Sequence, residues 1–192
     1  MKFEKVSKYA DANIKMPERK TQFSAGYDMV AAEDYIIPPL YEGLEKMELA
    51  EEVKSYTLFD MLFGKKVGEK KVYTLDEMNL LTKGAGARPT LVSTGMKCQL
   101  DSGYYLELSM RSSSPLKYLL VMANGVGIVD ADYYNNPDNE GEIFFQILNL
   151  SPFPIKIQKG EAIGQGIIKR YHLTESNTST SKRKGGFGST DK

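Results

Sequence analysis

The sequence predicts an all-β domain that carries a small α-rich insertion. Three observations lead there. Short apolar runs between Thr90 and Ile168 alternate with Gly, Pro, Asn and Asp punctuation, the texture of a sandwich, barrel or jelly roll. No long amphipathic helix separates those runs, as a parallel α/β sheet would require. Residues 40–88 have a different texture, rich in Glu, Lys, Leu and Met.

The elements can be justified in order. Lys15-Met16-Pro17-Glu18-Arg19 reads as a loop, and Tyr35-Ile36-Ile37 as a short buried strand stopped by Pro38-Pro39. In the insertion, Leu44, Met47 and Glu51 fall at helical spacing, as do Leu58, Met61 and Leu62. Thr74-Leu75-Asp76-Glu77 has capping-box form ahead of Met78, Leu80 and Leu81, so a helix is expected to start near Thr74. Lys83-Gly84-Ala85-Gly86-Ala87 closes the segment as a flexible loop. Strands are then expected at 90–94, 104–110, 119–122, 143–150, 155–157 and 162–168. The tail, 174–192, holds eight Ser/Thr among nineteen residues and has too little apolar surface to order itself. The expected organisation is therefore a β domain over 1–173, interrupted by 40–88, with a flexible tail at 174–192.

Composition narrows the functional classes. Twenty-five basic residues balance twenty-five acidic ones, so the basic excess of a non-specific nucleic-acid binder is missing and no nucleic-acid partner is expected. Cys98 is the single cysteine, which excludes an intrachain disulfide; with His172 as the single histidine, soft ligands are too few for a structural zinc site. A hard cation on carboxylate or phosphate oxygens is the metal this composition favours. Met1-Lys2-Phe3-Glu4-Lys5-Val6 has no apolar leader character, and no apolar run approaches membrane-spanning length, so a soluble cytoplasmic protein without membrane contact is expected.

Five segments carry chemistry. Ala25-Gly26-Tyr27-Asp28 is the first. Arg111-Ser112-Ser113-Ser114-Pro115 follows a strand and offers a guanidinium, hydroxyls and turn N–H groups to phosphate oxygens. In Gly125 to Tyr133, Val126, Ile128 and Asp130 alternate onto one strand face, and two glycines permit close backbone approach. Gly160-Glu161-Ala162-Ile163-Gly164-Gln165-Gly166 is a turn entering a buried strand. Gly185-Gly186-Phe187-Gly188-Ser189-Thr190, beside Arg183, has phosphate-cradling residues without the spacing of a Walker loop. Each alone is equally well an ordinary turn, strand or terminus. Cys98, between Lys97 and Gln99, reads as a packing residue.

Taken together and in this order, the five segments resemble the five motifs of the trimeric dUTP diphosphatase (dUTPase) family, over about three quarters of the chain. The resemblance implies a distorted jelly roll of the β-clip type and a homotrimer whose active sites draw on all three chains. It also implies hydrolysis of dUTP to dUMP and pyrophosphate by water attacking the α-phosphorus, with Mg²⁺ on the triphosphate. By position, Asp130 would be the general base that orients the water. Tyr133 would lie under the deoxyribose, where a 2′-OH would clash. Asn124 and the backbone from Gly125 to Gly127 would pair with uracil. Arg111, Ser112, Ser113 and Gln165 would contact phosphates, and Asp28 would reach the metal through water. Phe187 would stack on uracil from the tail, while Arg183, Ser189 and Thr190 would clamp the outer phosphates.

Four departures from that pattern stand out. Lys182 occupies the position where the fifth motif often has its Arg, and Arg183 lies one residue closer to the double glycine. Asp191 replaces the motif's final Gly. The loop from Tyr134 to Gly141 is longer than in the shortest members, and minimal members lack 40–88. Two rival readings remain. A dCTP deaminase shares the fold and the Arg-Ser-Ser turn but needs a Glu where Gln146 aligns, and a Gln cannot shuttle the proton. A non-catalytic module would instead recruit a regulatory protein or a nucleic acid through 40–88 or through Lys182-Arg183-Lys184, although three basic residues supply only weak, salt-sensitive phosphate binding.

Overall fold

The computed structural model describes residues 1–50, 74–177, 179, 183 and 186. The expected helical spacing at Leu58, Met61 and Leu62 lies outside them, as does Glu51. Eleven strands are described: β1 (Lys2–Lys5), β2 (Tyr27–Val30), β3 (Tyr35–Ile37), β4 (Thr90–Ser93), β5 (Met96–Gln99), β6 (Tyr104–Met110), β7 (Leu120–Met122), β8 (Gly127–Asp130), β9 (Phe144–Asn149), β10 (Ile155–Ile157) and β11 (Ala162–Arg170). Every named strand pairing is antiparallel: β2-β11-β6-β8, β4-β9-β7, and the two-stranded β1-β5 and β10-β3. This is the distorted jelly roll expected from the sequence. Among the described residues, no helix is long and apolar enough to cross a membrane.

Strand alternation builds the core. Along β9, Phe145, Ile147 and Asn149 are buried while Phe144, Gln146 and Leu148 are only partly covered, the period of two that a pleated strand imposes. Phe145, Met29, Ile37, Leu106 and Ile147 join one cluster between the sheets. Asn149 is polar and 1% exposed, yet its amide donates to Ile37 O at 3.0 Å and Phe153 O at 2.7 Å, and Ser151 N donates to its Oδ1 at 2.9 Å. Those bonds remove the desolvation cost that an unpaired amide would carry.

Several expectations shift in detail. β1 was invisible in the sequence, because Lys2-Phe3-Glu4-Lys5 has one apolar residue; its pairing with β5 supplies what propensity does not. In β3 only Ile37 is buried and Ile36 is exposed. The turn expected at 111–115 is instead a short helix. Here α1 denotes Leu40–Ala50, α2 Leu75–Ala85 and α3 Ser113–Tyr118. Pro115 falls in the first turn of α3, where its missing N–H has no intrahelical partner to lose.

At α2 the Thr74 hydroxyl accepts from Glu77 N, and Glu77 Oε2 accepts from Thr74 N at 2.8 Å, a complete capping box. α1 packs against α2. Gly43 makes room there, since a Cβ would sit 2.6 Å from the Ala87 Cα.

Cys98 is 1% exposed, and burial pushes its thiol up to about 12. A thiol reagent at about pH 8 is therefore expected to label native protein only as fast as the fold opens, and denatured protein at once. Rapid labelling of the native protein would mean that the β1-β5 pair opens far more often than its packing implies.

Candidate active site

Asp130 ends β8, two residues after Ile128. Gly127 and Val129 face the core, so Ile128 and Asp130 face outward. The chain reaches β8 through a tight turn from β7. Gly125 N donates to Met122 O at 3.2 Å and Val126 N to Asn124 O at 2.7 Å, with Gly125 at φ 69°. A second tie, Ala123 N to Gln146 O at 2.9 Å, fastens this turn to β9.

After Asp130 the chain makes a 3-10 turn over Ala131–Tyr133. Tyr133 is 7% exposed, and burial pushes its phenol above the ordinary range. A pocket of about 180 Å³ is lined by Asn124, Gly127, Asp130, Tyr133, Gln146 and Arg183, among others. An open trough of about 620 Å³ shares Ile128, Asp130 and Arg183 with that pocket and is also lined by Ser102, Tyr105, Asp132 and Tyr171.

Arg183 and Gly186 of the tail reach this place. Arg183 Nη2 donates to Asp130 Oδ2, and Arg183 Nε donates to Asp132 Oδ1 at 2.8 Å. The guanidinium carbon lies 5.8 Å from the Tyr133 ring centroid, within cation–π range. Gly186 sits against the ring edge; a Cβ there would be 2.6 Å from Tyr133 Cε2. Asp130, Asn124, Gly127, Tyr133 and Arg183 thus gather at one place. Phe187, Ser189 and Thr190 lie outside the described residues, as does Lys182.

A second cluster forms elsewhere. Gln165 on β11 stands opposite Asp28 on β2 and Ser109 on β6, and Gln165 Nε2 donates to Ser109 Oγ at 3.4 Å. Arg111 Nη2 is 3.7 Å from Asp28 Oδ2. That oxygen is buried and has no hydrogen-bond partner. Ser112 precedes α3 and Ser113 begins it beside Arg111, with Ser112 exposed and Ser113 half-buried.

The two clusters are apart in the single chain. Asp130 pairs with Tyr105 at one end of β6, while Arg111 follows the other end. Six residue steps of extended chain lead from Tyr105 to Arg111, about 20 Å, beyond the reach of an arginine side chain.

Among the described residues, no group of three His, Cys, Asp or Glu could hold a metal. The donor set is one buried carboxylate oxygen, on Asp28, without a hydrogen-bond partner. That fits a hard cation carried mainly by a substrate's phosphates and met through its water shell, and it does not fit a protein-built cage.

The dUTPase family model matches residues 79–191. The deoxyuridine 5′-triphosphate nucleotidohydrolase of Lactococcus lactis is 35% identical over 190 residues, 98% of this chain and 95% of that protein. The crystal structure of dUTPase from Streptococcus mutans superposes with a TM-score of 0.63 at 30% identity, covering 91% of this chain and 98% of that one. A mutant dUTPase from phage phi11 of Staphylococcus aureus, described with a structural Mg(II) ion, shares the fold at TM-score 0.54 and 16% identity, covering 94% of this chain and 96% of that one.

Proposed function

The chain belongs to the dUTPase family, and from that premise we propose how its residues hydrolyse dUTP to dUMP and pyrophosphate. The observation that carries the reading is Asp130 in the lining of one pocket with Asn124, Gly127 and Tyr133. Uracil enters along the Asn124–Gly127 turn, where backbone groups pair with its edge. Deoxyribose lies on Tyr133. This sets the α-phosphorus near Asp130, whose carboxylate takes a proton from water as the water attacks.

The bond to phosphorus forms from that water, and the α–β bridging oxygen leaves with pyrophosphate. Such displacement depends mostly on positioning and charge stabilisation. Arg111, Ser112, Ser113 and Gln165 supply charge and hydrogen bonds to the phosphates. Asp28 would meet Mg²⁺ through the ion's water shell. When bound, Mg²⁺ neutralises triphosphate charge and polarises the phosphoryl oxygens.

Arg183 has two roles in this scheme. It pairs with Asp130 and Asp132, and a triphosphate, as the more highly charged anion, would draw it to the outer phosphates and release Asp130. By the family resemblance, Phe187 would stack on uracil and Ser189 and Thr190 would meet the outer phosphates.

The active unit is a homotrimer with shared sites. The roughly 20 Å between the Asp130 and Arg111 clusters supports this, because one triphosphate must meet both.

The test is turnover of dUTP, dCTP and dTTP with Mg²⁺, with products identified. Release of dUMP and pyrophosphate from dUTP alone is expected. Deamination of dCTP would transfer the reading to the rival enzyme, against the aligned Gln146.

Residues 40–88 are an appendage that chemistry does not need. Both of its ends meet on β9: Pro39 bridges to Asn149, and Thr90 pairs with Ile147 two positions away. That gap is about 7 Å, so a short turn spans it at little entropic cost. Replacing 40–88 by a Gly/Ser turn is expected to leave dUTP turnover within a few-fold. A folded variant that no longer turns over would show that this segment builds or covers the site.

A further inference from the structure

The loop from Tyr134 to Gly141 is bound into the site more firmly than its composition implies. Asn139 Nδ2 donates to the Tyr133 Oη at 2.7 Å, and that hydroxyl donates to Glu142 O at 3.1 Å. Asn139 Oδ1 accepts from Asn136 Nδ2 at 2.8 Å and from Gly141 N at 3.1 Å. Asn136, 5% exposed, also donates to Tyr133 O at 2.9 Å. Gly141 has φ 82°, and a Cβ there would lie 2.5 Å from Tyr133 O, so the loop closes only with glycine. From outside, Glu140 accepts from Ser7 Oγ at 2.9 Å and from Lys97 Nζ at 3.2 Å, tying the loop to β5 and to the turn that follows β1.

Both ends of Tyr133 are therefore held, backbone oxygen by Asn136 and phenol by Asn139 and Glu142 O. We propose that Asn139, with Asn136 behind it, is a positioning residue that locks the Tyr133 ring and so sets the preference for deoxyribose over ribose. The inference rests on the reading of Tyr133 as the sugar platform. Its physical basis is that a wall can reject one extra hydroxyl only if it does not yield. A soft pocket discriminates weakly against a group that merely adds an oxygen, and a displacement of about 1 Å at a reacting centre is already costly.

Asn139→Asp tests this with the loop preserved. The carboxylate still accepts from Gly141 N and Asn136 Nδ2 but gives the phenol no donor, so the hydroxyl is held from one side only. The measurement is kcat/KM for dUTP and for UTP, with the melting temperature, in Asn139→Asp, Tyr133→Phe and the double variant. The expected result is a fall of about tenfold in the dUTP-over-UTP ratio in each single variant, with no further fall in the double. An unchanged ratio, an equal loss on both substrates, or additive losses would overturn the inference.

Tyr133→Ala separates the two claims. If it leaves the ratio unchanged, the sugar-platform reading fails. If it lowers the ratio while Asn139→Asp does not, the positioning role alone fails. Should Asn139→Asp melt below the assay temperature, Tyr133→Phe decides, because it leaves the loop's other bonds intact: a preserved ratio overturns the inference and a tenfold fall supports it.

Discussion

Asp130→Asn is expected to lower kcat for dUTP by roughly two to four orders of magnitude, the range for a positioned general base. At about 1.4 kcal/mol per tenfold, that is about 3 to 6 kcal/mol of barrier. The amide matches the carboxylate in shape but cannot take a proton from water. Folding should be undisturbed, because Asp130 lies at the end of β8 with a half-exposed side chain. Binding should survive, because Asn124, Gly127 and Tyr133 are untouched. The check is single-turnover hydrolysis, beside calorimetric binding of a non-hydrolysable dUTP analogue.

Asp132→Asn is the matched control. Asp132 also pairs with Arg183 but is more exposed, on the 3-10 turn, and a change within a few-fold is expected. If Asp130→Asn kept the wild-type rate, or if the two variants lost activity alike, the role of Asp130 would be no more than holding Arg183.

Much of this was legible in the sequence, for local reasons. β6 was expected at 104–110 and occupies Tyr104–Met110, because its pattern and its flanking punctuation agree. The start of α2 was legible because a capping box is a four-residue chemical unit. α3 was missed because serines before a proline read as a turn, although a proline in the first helical turn costs nothing. β1 was missed because its stability comes from a partner about ninety residues away.

The candidate site divides in the same way. Its five segments could be marked because their residue types are unusual together. Which segments share a surface could not be read, since the register Asp28–Gln165–Ser109 and the pairing of Asp130 with Tyr105 are non-local facts. The asparagine loop behind Tyr133 read as a mere lengthening. Side chains that bond backbone across a turn look, in sequence, like any polar loop.

The separation of the clusters yields the last expectation. If an active site takes Asp130 from one chain and Arg111 from its neighbour, two inactive variants should repair each other. Asp130→Asn subunits keep Arg111, and Arg111→Ala subunits keep Asp130. Each variant alone is expected to fall by two or more orders of magnitude, since Arg111 is the guanidinium paired with Asp28, across from Gln165, in that cluster. In a cyclic trimer assembled at random from equal amounts, about a quarter of the sites combine an intact Asp130 with an intact Arg111. Co-refolding the two should therefore restore about a quarter of the wild-type rate. Mixing folded trimers without exchange should restore none. The cis position of Arg183 on its own Asp130 makes this pair a cleaner choice than a tail truncation, whose contact need not cross between chains. If co-refolded, sedimentation-verified trimers stay as inactive as their parents, a single chain builds each site, and the gap of about 20 Å must close by movement within that chain.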